Sequence, residues 1–532
     1  MRGVAAAAKG TLAALAAQLA LAAGVTAQTL PLELTAGDYV DARLATPHAA
    51  QVALHGPDRR IVRTWQLPSG ESELLFVAPA SGPYELRASG AAPAGERRLT
   101  LHERVPAAQL VASPPPRDAA PQSPLLKAWI ERDGAGTDAF WAGVAQHGTP
   151  LVEPAGDGGS QLVTLLWRGG DTRSLRTFWP IRAAQPEAFS RVPGSDVWHL
   201  TLRLPPATRM SYQLAPDVPQ FADGPRLRQR RAVLATAQAD PLNRKPWPRH
   251  DGADRYSTAS LIELPQAPGE PWLAPRPGVA RGDVQTLRFH SARLGNQRDV
   301  TIYTPPGEPR GGAALPLLLL FDRDDYLTRV PTPTILDNLI ADRRIPPLVA
   351  VLVANPSRDA RAAELPCNET FAQVVVDELL PWVRTRVAAT TDATRVVAAG
   401  SSYGGLAAAC LALRHPQSVG RVLALSGSFW WSPERDPQAP AGGLDDTAEA
   451  EWAARQFAAA PRADVAFFLA AGLFERSAPG DSIGILEANR HLRTVLTARG
   501  HPVHYREFAG GHDYVNWRGM LPVGLITLLG QP

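Results

Sequence analysis

The stretch TRVVAAGSSYGGLAAACLALRHP, Thr394–Pro416, decides the fold of this 532-residue chain. The apolar run Val396–Ala399 leads into the turn Gly400–Gly404, and a segment rich in Ala and Leu follows. This pattern predicts a buried strand, a tight turn and a helix. The turn fits G-x-S-x-G with Ser402 at its centre, the setting in which a strained elbow presents a serine as a nucleophile. Ser401 is the rival nucleophile, and a glycine-rich turn without chemistry is the alternative interpretation.

The sequence around this turn, residues 273–532, alternates continuous apolar runs with helix-like segments. The runs LPLLLLFD, PPLVAVLVAN, RVLALSG, VAFFLAAG and VHYREFAGG are candidates for buried strands, and FAQVVVDELLPWVRTRV is a candidate amphipathic helix. Continuous apolar strands between helices are typical of a parallel sheet that is covered on both faces. The sequence therefore predicts an α/β catalytic domain over residues 273–532.

An acid and a base for Ser402 follow it in the order that α/β-hydrolases use, which is serine, acid, histidine. His512 lies in an Ala-Gly-Gly-His-Asp loop after the VHYREF candidate strand, where a flexible loop can bring an imidazole back to the serine. Glu475 follows the candidate strand VAFFLAAG, and a carboxylate there can orient the histidine ring. Asp481 is the alternative acid, and we expect Asp513 to anchor the loop.

Acyl transfer at a serine also needs backbone N–H groups that stabilise the oxyanion. The N–H of Tyr403, one residue after the nucleophile, is the first candidate. The second should come from the loop after LPLLLL, near Arg323 or Asp324. The chain has no HExxH, no CxxC, no His-rich tract and no glycine-rich nucleotide loop, so we expect neither a metal site nor a cofactor.

Two further domains are predicted before the catalytic one. Residues 28–110 contain short alternating runs with turn residues every eight to twelve positions, which indicates a small accessory β-sandwich. A Pro-rich linker, 111–124, separates it from residues 125–272, where runs such as QLVTLLWRG and DVWHLTLRLP predict a second β-sandwich. The predicted fold class is an α/β-hydrolase catalytic domain preceded by two β-sandwich domains.

The N-terminal segment 1–27 has two early cations, a short apolar run and a small-x-small site before Gln28, the pattern of a secretory signal peptide. We therefore expect a periplasmic or secreted protein without stable membrane insertion, and an uncleaved anchor is the alternative. The net charge of +3, without a long basic run, argues against a nucleic acid partner. An oxidising compartment would permit a disulfide between Cys367 and Cys410, and two free thiols remain the alternative.

Several motifs of the chain together resemble the esterase D branch of α/β-hydrolases and, within it, the enterochelin (enterobactin) esterases. In the catalytic part these are AAGSSYGGL (398–406), LSGSFWW (425–431), EL (364–365) ahead of Asn368 and Phe371, ELLP (378–381), GGHD (510–513) and WRG (517–519). In the preceding domain they are WR (167–168), Gly194, DVW (196–198), Tyr212 and ADPLN (239–243). The resemblance covers about residues 125–532 and assigns Ser402 as nucleophile, His512 as base and Glu475 as acid. One departure is that Arg323 follows Asp322 where the family commonly has Gly.

The resemblance implies hydrolysis of the ester bonds of a cyclic tri-serine catecholate siderophore such as enterobactin, which releases iron. An anionic aromatic substrate needs cations and aromatic rings in its site, because guanidinium groups bind planar anions and stack on rings. The candidates are Arg358, Arg361, Trp430, Trp517 and Arg518. Two alternatives remain, an exported feruloyl or acetyl esterase that acts on carbohydrate and a non-catalytic siderophore-binding protein. The sequence does not give the oligomeric state.

Overall fold

The computed structural model describes residues 28–530, apart from 68–69, 91–93, 118, 133–135, 179–187, 223–225, 249–253, 308–313, 434–448 and 478–482. The predicted export segment 1–27 and the alternative acid Asp481 lie outside the described residues. In the part of the chain that is described, no helix is long and apolar enough to cross a membrane.

The first domain consists of β1 (Gln28–Leu34), β2 (Tyr39–Thr46), β3 (Ala50–His55), β4 (Ile61–Leu67), β5 (Gly70–Val77), β6 (Gly82–Gly90) and β7 (Arg98–Val105). One antiparallel sheet has the order β1-β6-β3-β4 and the other has the order β5-β2-β7. Alternate residues of β3 are buried, as expected for a strand with one face on the core. Side chains of both sheets, such as Leu44 and Leu86, share one core, so the domain is a β-sandwich.

The second domain contains two four-stranded sheets and three helices. Its elements are α1 (Pro124–Arg132), α2 (Thr137–His147), β8 (Leu151–Pro154), β9 (Gln161–Arg168), β10 (Leu175–Phe178), β11 (Ser190–Arg191), β12 (Val197–Leu204), β13 (Arg209–Pro216), α3 (Arg226–Thr236), β14 (Pro246–Trp247) and β15 (Ala259–Glu263). The sheet orders are β11-β12-β9-β8 and β10-β13-β15-β14. Trp198 from the first sheet and Tyr212 from the second lie in one buried core.

The catalytic domain is built on one eight-stranded sheet in the order β16-β17-β19-β18-β20-β21-β22-β23. The strands are β16 (Asp283–Ser291), β17 (Asn296–Thr304), β18 (Leu317–Phe321), β19 (Val349–Val353), β20 (Val396–Ser401), β21 (Arg421–Leu425), β22 (Ala466–Gly472) and β23 (Val503–Phe508). The pairings from β19 to β23 are parallel, whereas β16 and β17 are antiparallel additions at one edge. Residues 317–321 and 349–353 are buried throughout, which matches their unbroken apolar sequence.

Helices cover both faces of this sheet. They are α4 (Arg323–Thr328), α5 (Thr332–Ala341), α6 (Arg358–Glu364), α7 (Glu369–Val374), α8 (Leu380–Arg384), α9 (Tyr403–Arg414), α10 (Trp452–Ala459), α11 (Ile485–Ala498) and α12 (Tyr514–Leu529). One core joins the sheet to α7, α9, α10 and α11, and a second core joins the opposite face to α5 and α12. The predicted fold class, an α/β-hydrolase domain after two β-sandwich domains, is confirmed.

Three details of the catalytic domain differ from the predictions. The strand VHYREFAGG, predicted to be buried, is the half-exposed edge strand β23, because β22 pairs with one side of it and it ends the sheet. The predicted amphipathic helix is divided by a π-helical turn, Val375–Leu379, directly before Pro381, whose missing N–H interrupts the regular hydrogen bonds. The antiparallel strand β16 and the C-terminal helix α12 were not predicted.

The first domain is docked on the rest of the molecule rather than free on a tether. The buried guanidinium of Arg63 donates to the carbonyl oxygens of Leu75 at 2.8 Å and of Ala235, in α3, at 3.0 Å. The Pro-rich segment 111–124 runs along the second domain, since the N–H groups of Val111 and Arg117 donate to carbonyl oxygens of that domain. The described part of this segment therefore lies against the second domain, and the hydrogen bond from Arg63 to Ala235 joins the two sandwiches.

Candidate active site

Ser402 lies at the carboxyl end of β20 in a strained backbone conformation, with φ 56° and ψ −124°. Its N–H donates to the carbonyl oxygen of Leu425 at 3.0 Å, and its carbonyl oxygen accepts the N–H of Ser428 at 3.1 Å. A non-glycine residue persists in such a conformation only when its surroundings impose it. Ser401, the rival nucleophile, is fully buried at the end of β20, so Ser402 is the serine presented at the edge of the sheet.

The glycines of the elbow are required by the distance between β20 and α9. A methyl group on Gly400 would lie 2.5 Å from the carbonyl carbon of Gly404. A methyl group on Gly404 would lie 3.1 Å from Oδ2 of Asp322 and 3.3 Å from Cβ of Phe321. The elbow therefore packs directly against the start of α4, the loop predicted to supply the second oxyanion donor.

Glu475 and His512, predicted as acid and base, are brought into contact. Nδ1 of His512 lies 2.6 Å from Oε1 of Glu475, and the N–H of Gly472 donates to Oε2 of the same carboxylate at 2.5 Å. Glu475 is 3% exposed, so its charge is desolvated and is held by these hydrogen bonds. When Nδ1 donates to the carboxylate, Nε2 is the ring nitrogen that can accept a proton.

The histidine loop is held by the second domain. Asp513 caps α12 by accepting the N–H of Val515 at 3.1 Å, and its Oδ2 accepts the N–H of Ser211 at 3.1 Å and the Ser211 hydroxyl at 2.5 Å. The N–H of Arg209 donates to the carbonyl oxygen of Ala509 at 3.0 Å. Strand β13 therefore fixes residues on both sides of His512. Asp513 anchors the loop as expected, and Ser211 is a partner that sequence reasoning missed.

The loop after β18 shows why Arg323 can replace the glycine that the related family commonly has. The residue that needs a left-handed backbone is Asp322, with φ 60° and ψ 47°, and Asp tolerates this region better than most side chains. Arg323 is the first residue of α4, just as Tyr403 is the first residue of α9. The N–H groups of first helical residues have no partner within their own helix, so both are candidate oxyanion donors.

Arg361, predicted to bind substrate, clamps Asp322 in the structure. Its Nε and terminal nitrogen donate to the two oxygens of that carboxylate at 2.7 and 2.8 Å. Burial acts to lower the pKa of Arg361, but the hydrogen bonds and charge of Asp322 outweigh it and raise the pKa. Asn355 donates to the same carboxylate at 2.6 Å. The clamp fixes the start of α4, and the guanidinium carbon of Arg361 lies 5.6 Å above the ring of Tyr403.

Two other residues predicted to contact substrate are engaged elsewhere. Trp517 is 3% exposed, and its indole N–H donates to Oγ of Ser426 at 2.9 Å. Its ring packs edge-on against the ring of His512 and so supports that imidazole. Arg518 donates to both oxygens of Glu270 at 3.1 and 2.8 Å. Both side chains thus have protein partners in the structure, and their direct contact with substrate stays a prediction.

Two predicted substrate residues remain accessible. The side chain of Arg358 is 84% exposed and lies 3.8 Å from Glu73 of the first domain. Trp430 is half-buried, with its ring 6.3 Å from that of Tyr403. The guanidinium of Arg323 is largely occupied, since it donates to the Thr301 hydroxyl at 2.6 Å and contacts Asp324, so its backbone N–H is the group left for chemistry.

The two cysteines of the chain form a disulfide beside this site. Cys367, which follows α6, is joined to Cys410 in α9, and their Cα atoms are 5.3 Å apart. The bond ties the elbow helix to the segment that carries the Arg361 clamp. Among the described residues, no group of three or more His, Cys, Asp or Glu is placed to hold a metal ion.

Comparison with protein families places both later domains in known groups. Residues 291–528 match the family model Esterase, and residues 162–273 match the model for the N-terminal domain of enterochelin esterase. The iron(III) enterobactin esterase of Dickeya dadantii is 33% identical over 452 residues, which cover 77% of this chain and 97% of that protein. The iron(III) enterobactin esterase of Escherichia coli K12 is 33% identical over 353 residues, covering 65% of this chain and 82% of that one.

Solved structures agree with these matches. The ferric enterobactin esterase of Salmonella typhimurium superposes with a TM-score of 0.59 at 30% identity, covering 74% of this chain and 98% of the other. The enterobactin esterase of Shigella flexneri, crystallised in the presence of enterobactin, superposes with a TM-score of 0.57 at 30% identity and the same coverage. About a quarter of the present chain thus has no counterpart in these structures.

Proposed function

Because the chain belongs to the iron(III) enterobactin esterase family and is an esterase, we propose that it hydrolyses the ester bonds of a catecholate siderophore such as enterobactin and so releases iron. The observation that carries the proposal is the contact between His512 and Glu475 at the same sheet edge as the strained Ser402. The relatives support the proposal as well, because the match covers 97% of the iron(III) enterobactin esterase of Dickeya dadantii.

The mechanism follows from the groups at the elbow. Nε2 of His512 takes the proton of the Ser402 hydroxyl while the oxygen attacks the ester carbonyl, and Glu475 stabilises the imidazolium that forms. The N–H groups of Tyr403 and Arg323 stabilise the oxyanion. The bond between the carbonyl carbon and the leaving alkoxide oxygen then breaks, His512 gives its proton to that oxygen, and an acyl-enzyme remains. Water, deprotonated by the same histidine, then releases the carboxylic acid and restores Ser402.

The experiment compares the purified mature protein with a Ser402→Ala variant on ferric and iron-free enterobactin, with products separated by chromatography. We expect linear trimer, dimer or monomer from the unmodified protein and a loss of turnover on the order of 10⁴-fold or more in the variant. Hydrolysis of a simple aryl ester without siderophore cleavage would contradict the substrate and favour a carbohydrate esterase. Siderophore binding without hydrolysis of any ester would favour a binding protein.

We also propose that residues 1–27 direct export and that the protein acts in the periplasm or outside the cell. The disulfide between Cys367 and Cys410 supports this proposal, because such bonds persist in oxidising compartments. N-terminal sequencing of the protein recovered from a periplasmic fraction should start at or near Gln28. Recovery of the intact N-terminus in the membrane fraction would contradict cleavage.

A further inference from the structure

The first domain meets the catalytic domain beside the active site. A methyl group on Gly70, at the start of β5, would lie 3.5 Å from the carbonyl oxygen of Pro356 and 3.9 Å from Cβ of Ser357. These two residues directly precede α6, whose Arg361 clamps Asp322 and lies over Tyr403. The start of β5 therefore rests on the loop that supports the elbow.

Charged side chains from all three domains gather at this junction. Glu73 of β5 forms an ion pair with Arg231 of α3 at 2.6 Å and lies 3.8 Å from the guanidinium of Arg358 in α6. The Glu73 carboxylate thus brings two cations, Arg231 and Arg358, to one point, and the surplus of positive charge there favours an anionic ligand.

The junction is continuous with the nucleophile. Arg358 and Arg361 are three residues apart on α6, so their side chains lie on the same face about one turn apart. Arg361 reaches the ring of Tyr403, the residue after Ser402. Moving outward from Ser402, a ligand would therefore meet Tyr403, then α6, and then the arginines of the junction.

We propose that Arg231 and Arg358 form an anion-binding rim at the active-site entrance, positioned by Glu73 of the first domain. The rim binds catecholate oxygens of a siderophore arm while another part of the molecule lies at Ser402. This inference rests on the proposed function and extends it, because it gives the first domain a part in selecting the iron-loaded, anionic substrate. Guanidinium groups suit this task, since they pair with planar oxygen anions in a bidentate manner.

The test measures kcat/KM for ferric enterobactin and for a neutral aryl ester in Arg358→Ala, Arg231→Ala and the unmodified protein. The control is Arg60→Ala, an 88% exposed arginine of the first domain that is 3.7 Å from Asp58. We expect the ratio of the two kcat/KM values to fall about tenfold in each rim variant, mainly through KM for the ferric substrate, and to stay unchanged in the control. Added salt should reduce the difference in this ratio between the unmodified protein and the rim variants, because salt screens exposed charges.

A second measurement separates binding from folding. In the Ser402→Ala background, Arg358→Ala should raise the Kd for ferric enterobactin about tenfold while the melting temperature stays the same, since the side chain is mostly exposed. If the unmodified protein cleaves ferric enterobactin but the rim variants keep the same ratio of kcat/KM values, the rim proposal is overturned and the proposed function is not. An equal loss of kcat/KM on both substrates would have the same meaning. Aryl ester hydrolysis without cleavage or binding of ferric enterobactin would overturn the proposed function together with the rim.

Discussion

The elbow at Ser402 and the loop at His512 lie at the same edge of the sheet, yet different kinds of contact hold them in place. The elbow is shaped by its own glycines and by hydrogen bonds from the adjacent strand β21. The histidine loop is fixed by Ser211 and Arg209, residues of another domain. Local packing thus shapes the elbow that carries Ser402, whereas domain docking places His512.

This difference between the elbow and the histidine loop explains which parts of the site could be predicted from the sequence. The G-x-S-x-G pattern contains the small residues that the elbow needs, so Ser402 and its setting were readable from a few adjacent positions. The contact between Ser211 and Asp513 joins residues 302 positions apart, and no local pattern marks it.

The largest effect is expected at the acid. Glu475→Gln should lower kcat by about 10³–10⁴-fold, because a neutral amide cannot stabilise the imidazolium and, with its oxygen accepting the N–H of Gly472, its NH2 group faces Nδ1 and favours the wrong tautomer. Ester hydrolysis at saturating substrate measures the loss. The matched control is Glu507→Gln, on the edge strand β23, which should retain activity. Equal activity of the two variants would discard Glu475 as the acid.

Removal of the disulfide tests whether local packing alone maintains the conformation of the elbow. Replacing Cys367 and Cys410 with Ala should lower the free energy of unfolding by about 2–4 kcal/mol, because the bond closes a loop between residues 43 positions apart. The kcat at 25 °C should stay within about twofold of the unmodified value. Denaturant unfolding and ester hydrolysis measure the two quantities. A large fall in kcat without unfolding would show that the elbow depends on the crosslink.

A methyl group added at Gly400 also tests whether local packing shapes the elbow. Gly400→Ala should destabilise the fold by about 1–3 kcal/mol and reduce turnover, because the new carbon collides with the main chain of Gly404. The control, Gly143→Ala, adds a methyl group within α2 where the surroundings are open, and it should be neutral or stabilising. Thermal unfolding compares them, and a fully active, stable Gly400→Ala would refute the packing argument.

The smallest effect is expected at the remote support of the histidine. Ser211→Ala removes the hydroxyl bond to Asp513 but keeps the backbone one, so we expect a loss of about 1 kcal/mol in stability and a severalfold loss in kcat. The KM for a small ester should not change, because Ser211 acts through the loop. The exposed Ser89→Ala is the control. A changed KM with unchanged kcat would contradict a positioning role.

Three of the side chains predicted to contact substrate are held by other protein groups. Arg361, Trp517 and Arg518 carry side-chain types that suit an anionic aromatic ligand, but their partners Asp322, Ser426 and Glu270 come from distant segments. Composition near a motif cannot tell a side chain that faces the site from one that supports it. Likewise, β23 contains apolar residues, yet its exposure is decided by its place at the end of the sheet order.

The tie between Ser211 and Asp513 also has a consequence for how the chain matures. Contacts between residues so far apart in sequence carry a high loop-closure entropy and form late during folding. We therefore expect His512 to reach its working position after the individual domains have folded, when β13 and the loop meet. A chain whose domains have not yet docked would carry the elbow but lack a fixed His512, so we expect its hydrolytic activity to arise only after docking.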